Sequence, residues 1–148
     1  MNSRSVLLVA LIGLLPRAGA SQTTERLYVE ACEAGDLIAC NVFGLMYETG
    51  DGVPRDLSRA ASLYEMACEG GELVGCTNLG LMYADGRGVP QDDETAYMWF
   101  DLAASRFTGI DREGVVKSRD QLAAALTADQ LAEAQRLARE WEAGHAPN

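Results

Sequence analysis

Residues 28–56 and 64–92 are two copies of one pattern set 36 residues apart, with 16 identities in 29 positions. The shared residues include Cys32/Cys68, Gly35/Gly71, Cys40/Cys76, Gly44/Gly80 and Tyr47/Tyr83. Repetition at a fixed offset of this size marks stacked helical hairpins, in which no unit can bury its apolar face alone. Within the pattern, MYETGDGVPRD (46–56) recurs as MYADGRGVPQD (82–92). Taken singly, a Gly-rich loop could cradle a phosphate and an Asp-Gly loop could hold calcium. A loop that returns together with its helical surroundings reads instead as the joint between units. Gly50, Gly52, Gly86 and Gly88 permit the bend, and Pro54 and Pro90 stop the preceding helix. Asp56 and Asp92 are placed to cap the helix that follows.

The pattern is helical nearly throughout. Residues 24–34 and 37–49 form one pair turned at Gly35-Asp36, and residues 57–69 and 72–85 form a second turned at Gly70-Gly71-Glu72. Small residues recur where helices approach closely: Ala31/Ala67/Ala103, Gly44/Gly80 and Ala60/Ala96. Large ones recur where layers are filled: Leu27/Leu63/Trp99 and Tyr28/Tyr64/Phe100. The YMWF run at 97–100 could be a ligand platform, but Trp99 and Phe100 fall on apolar positions of both earlier units, which favours core. Tyr97 aligns with Glu25 and Ala61 and is expected to be exposed. After residue 106 the repeat decays into a helix over 111–125 and a final amphipathic helix over 127–142. Thr127-Ala128-Asp129-Gln130 opens the latter as a capping box. The tail is expected to cover the last apolar face of the stack.

The first 20 residues read as a secretory signal: Arg4, the ten-residue apolar run VLLVALIGLL, then Ala18-Gly19-Ala20 before Ser21. Ten apolar residues are too few for a membrane span, which takes about 20. The expected organisation is a signal at 1–20, a repeat domain at 21–142 with units near 24–56, 57–92 and 93–142, and a flexible tail at 143–148. Without residues 1–20 the chain keeps 10 basic against 22 acidic residues, a net charge of −12. Such a surface repels phosphate backbones and anionic lipid, so neither nucleic-acid binding nor membrane insertion of the mature chain is expected.

All four cysteines lie in two C-x7-C units. In each unit one cysteine lies near the end of a helix and the other near the start of its antiparallel partner, so the turn between them brings the two side chains together. In an oxidising compartment this reads as Cys32–Cys40 and Cys68–Cys76 disulfides. A Cys32–Cys68 bridge would have to span a helix–helix distance of about 8–10 Å, more than a disulfide reaches. Each nine-residue loop closed this way stabilises by about 2.6 kcal/mol in the chain-entropy estimate. Zinc is the weaker reading, because C-x7-C lacks the short knuckle spacing and the one histidine, His145, sits near the chain end. No metal or other cofactor is expected.

The motif Y-x-x-G-x-G-V-x-x-D-x-x-x-A, present as Tyr47 to Ala60 and Tyr83 to Ala96, resembles the Sel-1-like repeat. The added C-x7-C resembles its cysteine-rich branch, the Hcp-type proteins secreted by bacteria. The tail, with Arg119-Asp120, Leu122 and LTADQLAEAQRLAREW, is similar to the end of many such proteins. The resemblance covers residues 25–142. It implies an all-α solenoid of TPR-like hairpins with a disulfide in each cysteine-bearing unit and a capping helix at the end. With only two cysteine-bearing units, this chain would offer a short concave groove.

Such proteins mostly act as protein–protein interaction modules, and some cysteine-rich members are described as β-lactam-binding with β-lactamase activity. The resemblance therefore implies an exported adaptor, periplasmic or secreted, with a protein or peptide partner; the alternative is a β-lactam hydrolase. The residues speak against the hydrolase. Lys117, the sole lysine, has no serine three positions before it, and one histidine cannot build a metal site. No catalytic residue is assigned. Tyr97 and Arg106 are the candidate partner-binding side chains, an aromatic and a cation on an otherwise acidic chain.

Overall fold

In the computed structural model, the described residues are 18–145, and among them every regular element is helical. The helices are α1 (Ala18–Glu33), α2 (Leu37–Thr49), α3 (Leu57–Glu69), α4 (Leu73–Asp85), α5 (Asp93–Arg106), α6 (Ile110–Ala125) and α7 (Ala128–Gly144). The expected signal peptide lies outside the described residues up to position 17, and residues 18–20 belong to the first turn of α1. Each helix packs on the next through α5·α6, and α7 returns to pack against α5. This is a short solenoid of antiparallel hairpins, α1/α2 and α3/α4, with α5 opening a third unit.

Side-chain caps open α2, α3, α4, α5 and α7. The carboxylate of Asp36 accepts from Ala39 N at 3.0 Å, that of Asp56 from Arg59 N at 3.1 Å, and that of Asp92 from Glu94 N and Thr95 N. Thr127 and Gln130 satisfy each other's backbone amides. At the C-terminal ends of α2 and α4, Gly50 (φ 78°) and Gly86 (φ 63°) turn left-handed, and their amides return to the Met46 and Met82 carbonyls. Gly52 and Gly88 follow with φ 78° and 73°. A methyl group on Gly88 would lie 2.2 Å from the Leu57 carbonyl oxygen, so this loop is pressed against the start of α3.

The layers interlock by setting glycine against an aromatic ring. A methyl group on Gly44 would come within 2.7 Å of the Tyr64 ring, and one on Gly80 within 3.1 Å of the Phe100 ring. Tyr64, Ala60, Ala67, Met82, Ala96, Trp99 and Phe100 are buried around these contacts. The cysteines pair as Cys32–Cys40 and Cys68–Cys76, with Cα separations of 4.7 and 4.6 Å. The Met66 thioether sits 3.5 Å from the Cys32 sulfur and 3.8 Å from that of Cys40, a dispersion contact because bonded sulfurs carry no hydrogen.

Three details differ from the sequence reading. Leu27, aligned with the core positions Leu63 and Trp99, is 57% exposed because no unit among the described residues precedes α1 to cover it. Tyr97 is buried, as argued below. The chain end is ordered further than position 142: α7 runs to Gly144, the His145 ring stacks on Trp141 at 4.0 Å, and its Nδ1 lies 2.8 Å from the Trp141 carbonyl oxygen. Residues 146–148 lie outside the described residues.

Candidate functional site

The open surface with the most varied chemistry lies between α1 and α3, floored by two side chains of α2. Glu25 and Val29 form one wall, Arg59, Ser62 and Leu63 the other, and Phe43 and Tyr47 the base, around a cavity of about 310 Å³. It continues past Pro54, Arg55 and Asp56 into the first joint loop. Tyr47 is buried, but its hydroxyl reaches the wall, where it accepts from Arg59 Nη1 at 2.9 Å and donates to Glu25 Oε1 at 3.3 Å. The Arg59 guanidinium also lies 5.4 Å from the centre of the Tyr47 ring and 3.5 Å from Asp56 Oδ2. The Tyr47 hydroxyl, and then the surrounding carboxylates, hold the Arg59 pKa above its ordinary value, so the side chain stays cationic. An exposed guanidinium over an apolar floor can take a carboxylate from an extended chain whose side chains fill the cleft.

The counterpart between α3 and α5 lacks these groups. Glu25 is replaced by Ala61 and Arg59 by Thr95 beside the repeated tyrosine, Tyr83. Burial first, then Glu65 and Asp92, raises the Tyr83 pKa and keeps this hydroxyl neutral.

The sequence-nominated pair separates in space. Tyr97 is 5% exposed, and its hydroxyl accepts from Gln135 Nε2 of α7 at 3.4 Å. The expectation of an exposed Tyr97 fails because α7 folds back on α5, covering a position that the regular repeat leaves open. Arg106 is exposed at the far end of α5, with its guanidinium 5.6 Å from the Trp141 ring centre. Trp141 meets Trp99 edge-on at 5.8 Å, while the buried Trp99 Nε1 has no hydrogen-bond partner among the described residues. Arg106 therefore belongs to the aromatic clasp that fastens the cap. The joint glycines and prolines, Gly50 to Pro54 and Gly86 to Pro90, lie at the ends of the hairpins. The triad Glu25–Tyr47–Arg59 is not among the residues the sequence nominates; its signal lies in the two charged residues that break the repeat on either side of a repeated tyrosine.

A stacked series of helical hairpins, two of them stapled by disulfides, with an open cleft between α1 and α3, defines a helical-repeat solenoid. The Sel1 repeat family model matches residues 38–72 and 73–106. Helicobacter pylori cysteine rich protein B is similar at 32% identity over 64% of this chain and 70% of that protein, with a TM-score of 0.58. The chain belongs to the Sel1-like repeat family, in its cysteine-rich Hcp-type branch. A protective antigen of uropathogenic Escherichia coli with an SLR fold superposes with a TM-score of 0.77 at 28% identity, covering 86% of this chain and 27% of the antigen. A Sel1 repeat protein from Oxalobacter formigenes gives a TM-score of 0.60 at 30% identity, over 80% of this chain and 49% of that one. This chain thus spans about a quarter of the antigen's length and about half of the Oxalobacter protein's. No curated protein matches the sequence. The disulfides suit an oxidising compartment, and no helix among the described residues is long and apolar enough to cross a membrane.

Proposed function

We propose that this chain is an exported adaptor, with residues 1–20 removed and 21–142 forming the repeat domain, and that it holds an extended segment of a protein partner in the cleft between α1 and α3. The observation that carries the reading is the Arg59 guanidinium, exposed yet oriented by Tyr47, above the apolar base of that cleft. In an envelope oxidising enough to form both disulfides, the partner is another exported polypeptide that presents an acidic residue flanked by apolar ones. Changing Arg59 to Glu reverses the local charge and removes one donor to the Tyr47 hydroxyl, which keeps Glu25 as its acceptor, so no core side chain is lost. The chain should be recovered from the periplasm of its producing cell, its N-terminus read, and then used as bait in envelope extract with mass spectrometry. A polypeptide enriched on the wild-type chain should fall about ten-fold or more on Arg59→Glu, with the melting temperature unchanged. Equal enrichment on both baits would refute the cleft as the site.

A further inference from the structure

The internal repeat shows what belongs on the outer end of the first unit. In the second unit, α2 lies across Tyr64, Ala60, Asn78 and Arg87. Gly44 faces the Tyr64 ring, Asn41 Oδ1 accepts from Asn78 Nδ2 at 3.0 Å, and Glu48 takes Arg87 Nη1 at 2.6 Å and the Tyr64 hydroxyl at 2.6 Å. Thirty-six residues earlier stand Tyr28, Thr24, Val42 and Asp51, and all four line one cavity of about 620 Å³, with Leu45 and Met46 beside them. The cavity is the seat that a preceding helix would fill. Burial shows that no described residue covers the seat as α2 covers the second unit: Met82 is fully buried, whereas its counterpart Met46 is only half-buried.

Two substitutions in the seat state what fits it. Val42 replaces Asn78, so an apolar side chain belongs where α2 offers Asn41. Asp51 replaces Arg87, so a cation belongs where α2 offers Glu48. The Tyr28 ring still calls for a small residue where α2 has Gly44. We propose that this end face docks a partner's amphipathic helix carrying an apolar residue, Gly or Ala three positions later, and Lys or Arg four positions after that. A second copy of the chain is the wrong occupant. The corresponding positions of α6 are Val116 and Asp120, which would set a branched side chain on Tyr28 and an acid against Asp51. The net charge of −12 beyond residue 20 favours a basic helix in the same sense.

The probe is a fluorescent, hydrocarbon-stapled peptide of residues 37–49 carrying Cys40→Ala, Asn41→Leu and Glu48→Lys, with the staple on the face away from Gly44. It should bind the full chain about ten-fold or more tightly than the same peptide retaining Glu48. Asp51→Arg in the protein, which installs the residue of the second unit, should invert that order. Gly44→Leu in the peptide should abolish binding. Equal affinities, an order unmoved by Asp51→Arg, or no saturable binding of either peptide would each overturn the proposal. The chain with Arg59→Glu should bind these peptides as the wild type does, so failure of the inner cleft and failure of the end face give different results.

Discussion

The two joints of the solenoid solve one problem with opposite chemistry. At the first, Gly44 meets the ring of Tyr64, whose buried hydroxyl donates to Glu48, which Arg87 also holds. At the second, Gly80 meets the ring of Phe100, and the residue in place of Glu48 is Ala84. The hydroxyl and its acceptor disappear together. What stays constant is a missing side chain opposite a flat one, which sets how closely the layers approach. The polar network is an option that must be present whole or absent, because a buried hydroxyl without an acceptor is destabilising.

The largest effect should come from the backbone that both joints share. Gly88→Ala adds a methyl 2.2 Å from the Leu57 carbonyl oxygen at a residue with φ 73°, so the loop must leave α3 or the helix must move. Urea unfolding should show a loss of about 3 kcal/mol or more. A loss well under 1 kcal/mol would mean the joint is compliant and the close approach is not what fixes the stacking.

Next comes the network itself. Glu48→Ala strands the Tyr64 hydroxyl and frees Arg87, and should cost about 1–3 kcal/mol. Adding Tyr64→Phe gives the first joint the phenylalanine and alanine of the second, with Arg87 left to solvent, and should recover most of that loss. A double variant no more stable than Glu48→Ala alone would break the equivalence of the two joints.

How far this was legible in the sequence follows the same division. The period, the helix caps and the disulfide pairs could be read because each rests on contacts within one unit or on a repeated neighbour. Tyr97 is buried against expectation because its environment is made by α7, which leaves the repeat and returns to α5. No offset of 36 residues encodes that return. Arg106 is exposed as a binding residue must be, but its approach to Trp141, 35 residues away on the cap, is likewise invisible to the repeat. The triad of Glu25, Tyr47 and Arg59 is written in departures from the repeat and not in what recurs. In a solenoid the conserved spacing gives the scaffold, and the deviations mark where one unit differs in surface chemistry.

The smallest effect appears in alkali, and it isolates the hydroxyl that distinguishes the joints. Burial first, then the hydrogen bond and charge of Glu48, raise the Tyr64 pKa far above its ordinary value of 10.0. The folded chain therefore keeps a proton that the unfolded chain releases near pH 10. Its contribution is complete below that pH and is lost progressively above it, at no more than about 1.4 kcal/mol per pH unit. Tyr83 is shifted in the same direction, so some alkaline loss persists whatever stands at position 64. The informative quantity is the difference between the wild type and Tyr64→Phe, which has no proton to lose there. Between pH 9 and pH 11.5 the wild type should lose stability faster than the variant, and the two unfolding curves should converge or cross. Parallel profiles would mean that Tyr64 is no harder to ionise folded than unfolded. The hydroxyl would then be in contact with water, and the first joint would be as loosely sealed as its polar residues alone imply.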